Sequence, residues 1–541
     1  MPLSIPFQRW RSRRVLLALV LALALVLPGA GCVNHHFFQA DARVGPGSTE
    51  PLPAGADSVR AVAGRQYLQH SALYQWLLGR HYRRVWAAPV MAPVLNLTTA
   101  MPGGLRPGRI GGGYQSISMT LLGRHGREYA LRALDKEPYK TLPLWLRHTF
   151  LLNVVRDATS AAIPYGALTV PPLAAAAGVP HATPRLVYIR PDETGLGEMS
   201  GRFQGKLALL EEKFNVRAAA TPDLAGTNHF VGGEKMLQTV YTHPSYYIDQ
   251  PAFLRARLLD VWLGDWDRHE GQWSWAAYDE PGGRVRYRAI PKDRDQVYFR
   301  FDDGLIPWLA SRRFIAPKFQ TFRAGYDNVA GLVKQARFID QRGLSALSRA
   351  DFQRLARDLQ SRLPDSIIDR ALHRLPPTVY VLEGPTLAAA LRARREALPQ
   401  AAEAFYLSLA HEPNLGGTAE PERFVVRRYP DSTTVRVYSF ALARRPGPDS
   451  LRFHRTYFSA ETQSLTLDGL GGDDVFEVTT QGRSAMHLHL YGGAGHDQLH
   501  LQGSSQRVHL FDDASDLTAA GAHRPSLPRK KRRAYDRLND D

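Results

Sequence analysis

The chain has 541 residues, 44% hydrophobic and 22% charged, with a formal net charge of +17. That length and balance exclude a disordered chain and a miniature stapled fold, and leave room for about two to four domains with sizeable cores. The single cysteine, Cys32, excludes an internal disulfide.

In chain order, Arg9, Arg11, Arg13 and Arg14 precede the apolar run from Val15 to Leu27 and the small residues Pro28-Gly29-Ala30-Gly31. This pattern predicts a secretory signal over 1–31, too short to read comfortably as a lasting membrane span. Cys32 follows at once and resembles the lipidated cysteine of a bacterial lipobox, with Gly29 where Leu is usual. Val33, rather than Asp, resembles the signal for outer-membrane retention. The resemblance implies a protein anchored through lipidated Cys32 in the bacterial outer membrane and facing the periplasm; the alternative is a cleaved, soluble periplasmic product. Export argues against a nucleic-acid role for the positive charge and leaves anionic lipid or phosphorylated substrates. The run Arg529-Lys530-Lys531-Arg532-Arg533, in a basic tail over 519–541, reads as a solvated or phospholipid-facing segment.

Residues 32–105 read as a tether followed by helices, with Tyr67, Leu68, Leu73, Trp76, Leu77 and Tyr82 at near-helical spacing. A short strand is expected at VLNL, 94–97. Gly111, Gly112 and Gly113 then open a predicted β-hairpin, 117–121 and 128–134, and backbone N–H groups of such a cluster can approach a phosphate. Arg132 and Lys136 are four apart, on or just beyond the returning strand, so the even spacing puts both on one face. A helix is expected over 143–163, burying Leu144, Phe150, Leu151, Val154, Val155 and Ala158, with Asp157 on a solvated face; Pro164 ends it. Strands are expected at RLVYI, 185–189, and at 206–210, the second running into Glu211-Glu212-Lys213. Residues 214–250 read as irregular and 251–263 as a helix.

The helix leads into a polar knot, Gly264-Asp265-Trp266-Asp267-Arg268-His269. A Trp-rich segment, a Pro-Gly-Gly turn and a strand then reach a second knot, Lys292-Asp293-Arg294-Asp295. Two acidic knots joined by a turn can converge on one metal–phosphate site, because magnesium takes one or two carboxylates and fills its shell with water and phosphate. Trp266 and Trp273 read as packing residues. Helices with ordinary core patterning follow between about 323 and 393.

Beyond Pro421 the chain becomes a series of short alternating strands, predicting an all-β sandwich or β-solenoid over 421–518. Gly471-Gly472-Asp473-Asp474 and Gly492-Gly493-Ala494-Gly495-His496-Asp497 each precede a strand. They resemble the Gly-Gly-x-Gly-x-Asp turns of calcium-binding parallel β-rolls, which implies possible Ca2+. His487, His489, His500 and His509 alternate on strands; same-face histidines can bind zinc or copper, but their spacing is not compact.

Residues 106–400 resemble the atypical protein-kinase-like superfamily, especially its secretory and spore-coat members. Asp267-Arg268-His269 matches the recurring Asp-Arg-His, Gln272 stands where a metal-binding Asn is usual, and Asp293 and Asp295 look like the later metal-binding aspartate. Arg132 takes the place of the strand lysine, with Lys136 the nearest lysine, the glycines 111–113 that of the phosphate-covering loop, and Glu211 lies near the hinge. The resemblance implies an α+β fold, with a bilobal kinase-like domain ahead of the all-β domain. It implies Asp267 and His269 as catalytic residues, Gln272, Asp293 and Asp295 as Mg2+ or Mn2+ ligands, and Gly111, Gly112, Gly113, Arg132, Lys136 and Glu211 around ATP or another phosphate donor. The acceptor would be an envelope protein, glycan or lipid phosphate. Gln for Asn and Arg for Lys, whose fork has a different geometry, leave open a non-catalytic binding module on a degenerate fold. A phosphate-ester hydrolase using the same acids is the third reading.

Overall fold

The computed structural model describes residues 33–111, 117–312, 315–443, 447, 450–511 and 517–520. The leader, Cys32, Gly112, Gly113 and the basic run at 529–533 lie outside the described residues. Within them the chain is mixed α+β, with several helices and five sheets. No described helix is long and apolar enough to cross a membrane.

Strands β1 (Ser58–Ala61) and β2 (Val90–Pro93) pair antiparallel. The strand of this turn-rich stretch therefore precedes VLNL, where Val94 makes only a single bridge to Tyr188. Next come β3 (Arg106–Gly111), β4 (Ser118–Leu122), β5 (Glu128–Ala133), β6 (Arg185–Tyr188) and β7 (Leu207–Lys213), in the antiparallel order β3-β4-β5-β7-β6. Alternation along β5 sends Tyr129, Leu131 and Ala133 into one core with Met119, Leu121 and Leu210. Arg132 is therefore turned to the opposite face.

Two helices, Phe150–Asp157 and Val170–Ala177, lie between β5 and β6. The single helix expected over 143–163 is broken: Leu144–Leu146 and Ala158–Ala161 are 3-10 turns, and Thr149 accepts a bond from Leu151 N to start the helix proper. Leu144, expected in the core, is exposed. Asp157, expected to be solvated, is buried. It accepts from both Arg83 guanidinium nitrogens (2.5 and 2.6 Å) and lies 2.9 Å from His70 Nε2. Burial alone would raise its carboxyl, but these partners outweigh burial and lower it to about 2. The partners sit more than seventy residues upstream, so helical spacing could not reveal them.

A second sheet comprises β8 (His229–Gly232), β9 (Tyr246–Ile248), β10 (Trp273–Glu280) and β11 (Arg284–Pro291), in the order β8-β10-β11-β9. The stretch 214–250 is thus more regular than expected, carrying β8, the helix Gly233–Thr242 and β9. The helix Gln250–Leu263 starts on Asp249, whose carboxylate accepts from Ala252 N, with Pro251 in its first turn. It is buried on nearly every side, by Phe253, Leu254, Leu258, Leu259, Val261, Trp262 and Leu263. Helices Arg349–Arg362, Pro377–Glu396 and Leu398–Ala410 share its core, so the helical part runs to Ala410.

Among the described residues ten strands follow: β12 (Asn414–Gly416), β13 (Glu422–Arg428), β14 (Ser432–Ser439), β15 (Leu451–Phe458), β16 (Ser464–Asp468), β17 (Val475–Thr480), β18 (His487–Tyr491), β19 (Asp497–Gly503), β20 (Val508–Phe511) and β21 (Leu517–Ala520). They form two sheets, β12-β16-β18-β20 and β15-β14-β13-β17-β19-β21. From β16 onward successive strands fall in alternate sheets and pair in parallel. Leu465, Leu467, Leu488 and Leu490 of one sheet share a core with Phe424, Val426, Phe476 and Val478 of the other. The two glycine turns stack through a Gly471–Ala494 bridge. At Gly493, φ is 105° and an added Cβ would lie 2.6 Å from the Leu470 backbone, so only glycine fits that approach.

Candidate functional site

The register of β10 and β11 builds the centre of the molecule. Trp273 pairs with Pro291, so the segment before 273 and the segment after 291 leave the sheet side by side. Lys292 N donates to Gln272 O at 2.9 Å. The two acidic knots are neighbours because one hairpin carries both.

Gly264 sets the approach. Its φ of 70° ends the helix Gln250–Leu263, and Asp265 N donates to Asp260 O. Arg268 then fastens the knots together. It donates to Lys292 O (2.7 Å), Gln272 O (3.1 Å) and Asp260 Oδ2 (3.2 Å), and its guanidinium lies 4.6 Å from the Trp273 ring centre. Arg257, Asp260, Asp265, Arg268, Arg294 and Asp340 form one buried network of three cations and three carboxyls. Arg257 donates to both Asp340 oxygens (2.6 and 2.9 Å), and Arg294 bridges Asp260 and Asp265. Burial pushes the Asp265 carboxyl up to about 7 against the pull of Arg268 and Arg294. Asp260 is held below its ordinary value: burial opposes its charge, but Arg294, Arg268 and Arg257 prevail.

In front of this network lies a cleft. Arg132, Lys136, Glu211, Asp293, Arg294 and Asp295 line it, with Leu209, Ala162 and Ile163 as an apolar wall around a cavity of about 40 Å3. Arg132 donates to Glu211 at 2.6 Å and lies 3.7 Å from Asp293. Lys136 pairs with Asp295. Burial works against both cations, yet the surrounding carboxylates, Asp293 and Glu211 for Arg132 and Asp295 and Asp293 for Lys136, raise both above their ordinary values. Burial and the adjacent Asp293 raise Asp295, whereas Arg132 and Lys136 overcome burial to lower Asp293. Asp293 sits in the left-handed region at φ 54°, uncommon outside glycine although aspartate tolerates it better than most.

Among the sequence-derived site residues, Arg132, Lys136, Glu211, Asp293 and Asp295 are thus brought together. Asp267 is not part of the cleft lining; its charge reaches Lys136 and Asp295 only as the weakest of the influences on them. Gln272 adds to the lowering of Asp293, behind Arg132, Lys136 and Arg268. His269 accepts from Gly271 N at 3.1 Å through Nδ1 and caps the following turn, which gives it a bracing place in the loop. Gly111 ends β3, opposite Ser118 of β4. The buried pair Trp266 and Trp273 packs as expected. The sequence reading missed Asp260, Arg257, Arg268 and Asp340 as the scaffold of the two knots. Arg257 and Asp260, three apart on one helix, were the available signal.

Elsewhere, His487, His489 and His509 form a cluster able to coordinate a metal ion, with ligand atoms all within 4.8 Å of one another. It is the one such group of three or more His, Cys, Asp or Glu side chains among the described residues. His500 lies on β19 in the other sheet. Burial holds His487 and His489 below the ordinary imidazole value, aided by Arg507 for the first and His509 for the second. In the stacked turns, Asp497 Oδ1 accepts from Asp474 N (2.9 Å) and Asp474 Oδ1 from Glu422 N (2.7 Å). Burial and then Glu422 push Asp474 up to about 10. No protein-family model matches the chain, and no curated protein matches its sequence.

Proposed function

We propose that the central cleft is the site of a metal-dependent, kinase-like phosphotransferase of the bacterial cell envelope, acting on a protein, glycan or lipid-phosphate acceptor. The observation that carries this reading is that Arg132, Lys136, Glu211, Asp293 and Asp295 line one crevice, although they come from three separate stretches. An antiparallel sheet carrying Arg132 and Glu211, ahead of a mixed part in which β11 leads to Asp293 and Asp295, also supports the two-lobed arrangement that the family resemblance implies.

The residues fit a hard divalent cation. Burial and then like-charge crowding by Asp293 raise Asp295, a crowding that a dication relieves, and Gln272 adds to the lowering of Asp293. Asp293, Asp295 and Gln272 would hold Mg2+ or Mn2+, which when bound neutralises charge on the donor phosphates. Arg132 and Lys136 hold phosphate oxygens of ATP or another donor, which must compete with Glu211 and Asp295 for them. Asp267 orients the acceptor hydroxyl and takes its proton. Arg268 and the buried network keep both knots in register during transfer.

ATP binding to the purified chain in Mg2+ or Mn2+ tests this reading, with saturable, metal-dependent binding expected. Asp267→Ala should keep that binding and lower transfer by roughly 100- to 10,000-fold; full transfer would contradict its role. The pairing of Arg132 with Glu211 and Lys136 with Asp295, and Gln272 in place of Asn, favour a second reading, a non-catalytic binding module. Binding without transfer to any acceptor would identify it.

Anchorage through Cys32 in the outer membrane is a further part of the proposal; mass spectrometry of the native N-terminus, with acyl chains on Cys32 expected, tests it. Calcium in the C-terminal strands is supported by Asp474, whose buried Oδ2 has no hydrogen-bond partner. Ca2+ should raise the unfolding temperature of the wild type and not of Asp474→Asn.

A further inference from the structure

The terminal strands carry a second kind of site. Along β18, Leu488 and Leu490 point into the core, and alternation turns His487 and His489 to the outer face. On β20, Leu510 is inward and His509 outward. The parallel register places His489 directly beside His509. A His-x-His strand and one histidine on the neighbouring strand therefore gather three imidazoles on one patch of sheet.

Their geometry is close. His487 Nδ1 and His509 Nε2 are 3.0 Å apart, so one of these nitrogens carries the proton and the other is an acceptor. The His489 and His509 ring centres are 5.1 Å apart with planes at 62°, and those of His487 and His509 5.3 Å apart at 14°. All three rings are partly exposed, so an ion can reach them from solvent. Phe511 stacks on Tyr491 at 4.7 Å and meets His489 edge-on at 5.8 Å, walling one side with apolar surface. The charges nearby oppose one another: Arg507 and Arg428 act against positive charge at His487, while Glu412 favours it at His489.

We propose that His487, His489 and His509 bind one borderline transition-metal ion, Zn2+ or Cu2+, through three imidazole nitrogens, leaving one coordination position for water or an outside ligand. The donor set decides the class. Three nitrogens without a carboxylate in the group suit zinc or copper and not magnesium or calcium. Three protein ligands with an open position is also the pattern of reactive rather than purely structural zinc. The site does not depend on the phosphotransferase reading, since it uses a different sheet, different ligand atoms and a different class of ion.

The test uses the full chain without an affinity tag, stripped of metal. Titration with Co2+ should give one ion per chain and the intense visible absorption of four-coordinate cobalt, displaced by Zn2+. Competition against a chromophoric chelator then gives the Zn2+ affinity. His489→Gln and His509→Gln should each abolish the cobalt band. Each should weaken Zn2+ binding by at least about 10- to 100-fold, the scale on which even outer-shell partners act. Their urea midpoints in metal-free buffer should match the wild type, because both rings lie on the outer face. His500→Gln should bind both ions as the wild type does. Wild-type Zn2+ affinity in the His489→Gln/His509→Gln double variant, or no stoichiometric cobalt band in the wild type, would overturn the proposal.

Discussion

The central cleft, where we propose a cation sits, and the histidine patch are built in opposite ways. The cleft gathers carboxylates and then compensates them with its own cations: Lys136 on Asp295, Arg132 on Glu211 and Asp293. Its position depends on a buried network of six charged groups. The histidine patch gathers neutral donors on a regular sheet, and its position depends only on strand alternation and register. A ligand entering the cleft must exchange existing ion pairs, whereas one entering the patch displaces a proton shared between two rings. The contrast teaches that a cleft already filled with ion pairs suits the anionic partner and accompanying cation proposed for it, and the patch a bare ion.

That contrast can be broken from the cleft side first. Asp260→Ala leaves Arg257, Arg268 and Arg294 buried without their common partner and should cost about 3–5 kcal/mol in urea unfolding. It should also disorder both knots while leaving the cobalt band of the histidine patch in place at low urea. Gly264→Ala forces a Cβ into the left-handed region, 3.0 Å from the Phe322 ring. It should cost about 1–2 kcal/mol and weaken ATP binding before it affects the terminal strands.

The terminal strands have their own pH signature. Burial and then Glu422 push the folded Asp474 carboxyl up to about 10, against an ordinary aspartate value of 3.8, so the folded state holds the proton more tightly. Its contribution is fully present below 3.8 and is lost as pH rises through about 10. Stability should therefore fall between these values by up to about 1.4 kcal/mol per pH unit. Asp474→Asn should flatten that slope in urea unfolding measured across pH, and an unchanged slope would remove Asp474 as its source.

Much of this architecture was legible in the sequence because it is written locally. The alternating runs after 421 became β13–β20, the Pro-Gly-Gly turn gave the β10–β11 hairpin, and that hairpin put the two Asp knots side by side. Arg132 and Lys136 line one cleft, but β5 ends at Ala133, so strand alternation accounts for Arg132 alone. What stayed hidden depends on distant partners. Asp157 looked solvated because Arg83 and His70 are far upstream in sequence. The histidines were visible as zinc or copper candidates but lacked compact spacing, because His489 and His509 are brought together by a parallel pairing that skips an intervening strand of the other sheet. The stacked glycine turns hinted at that coil, and aligning the strands on them would have placed the two rings together.

The central claim is that two carboxylate knots and two cations form one metal–phosphate site. Calorimetric titration of ATP into the wild type and into Asp293→Ala, each with and without Mn2+, tests it most directly. The account predicts saturable binding by the wild type only with Mn2+, and none by Asp293→Ala at an unchanged circular-dichroism spectrum. Equal binding by both proteins, or binding indifferent to Mn2+, would contradict it.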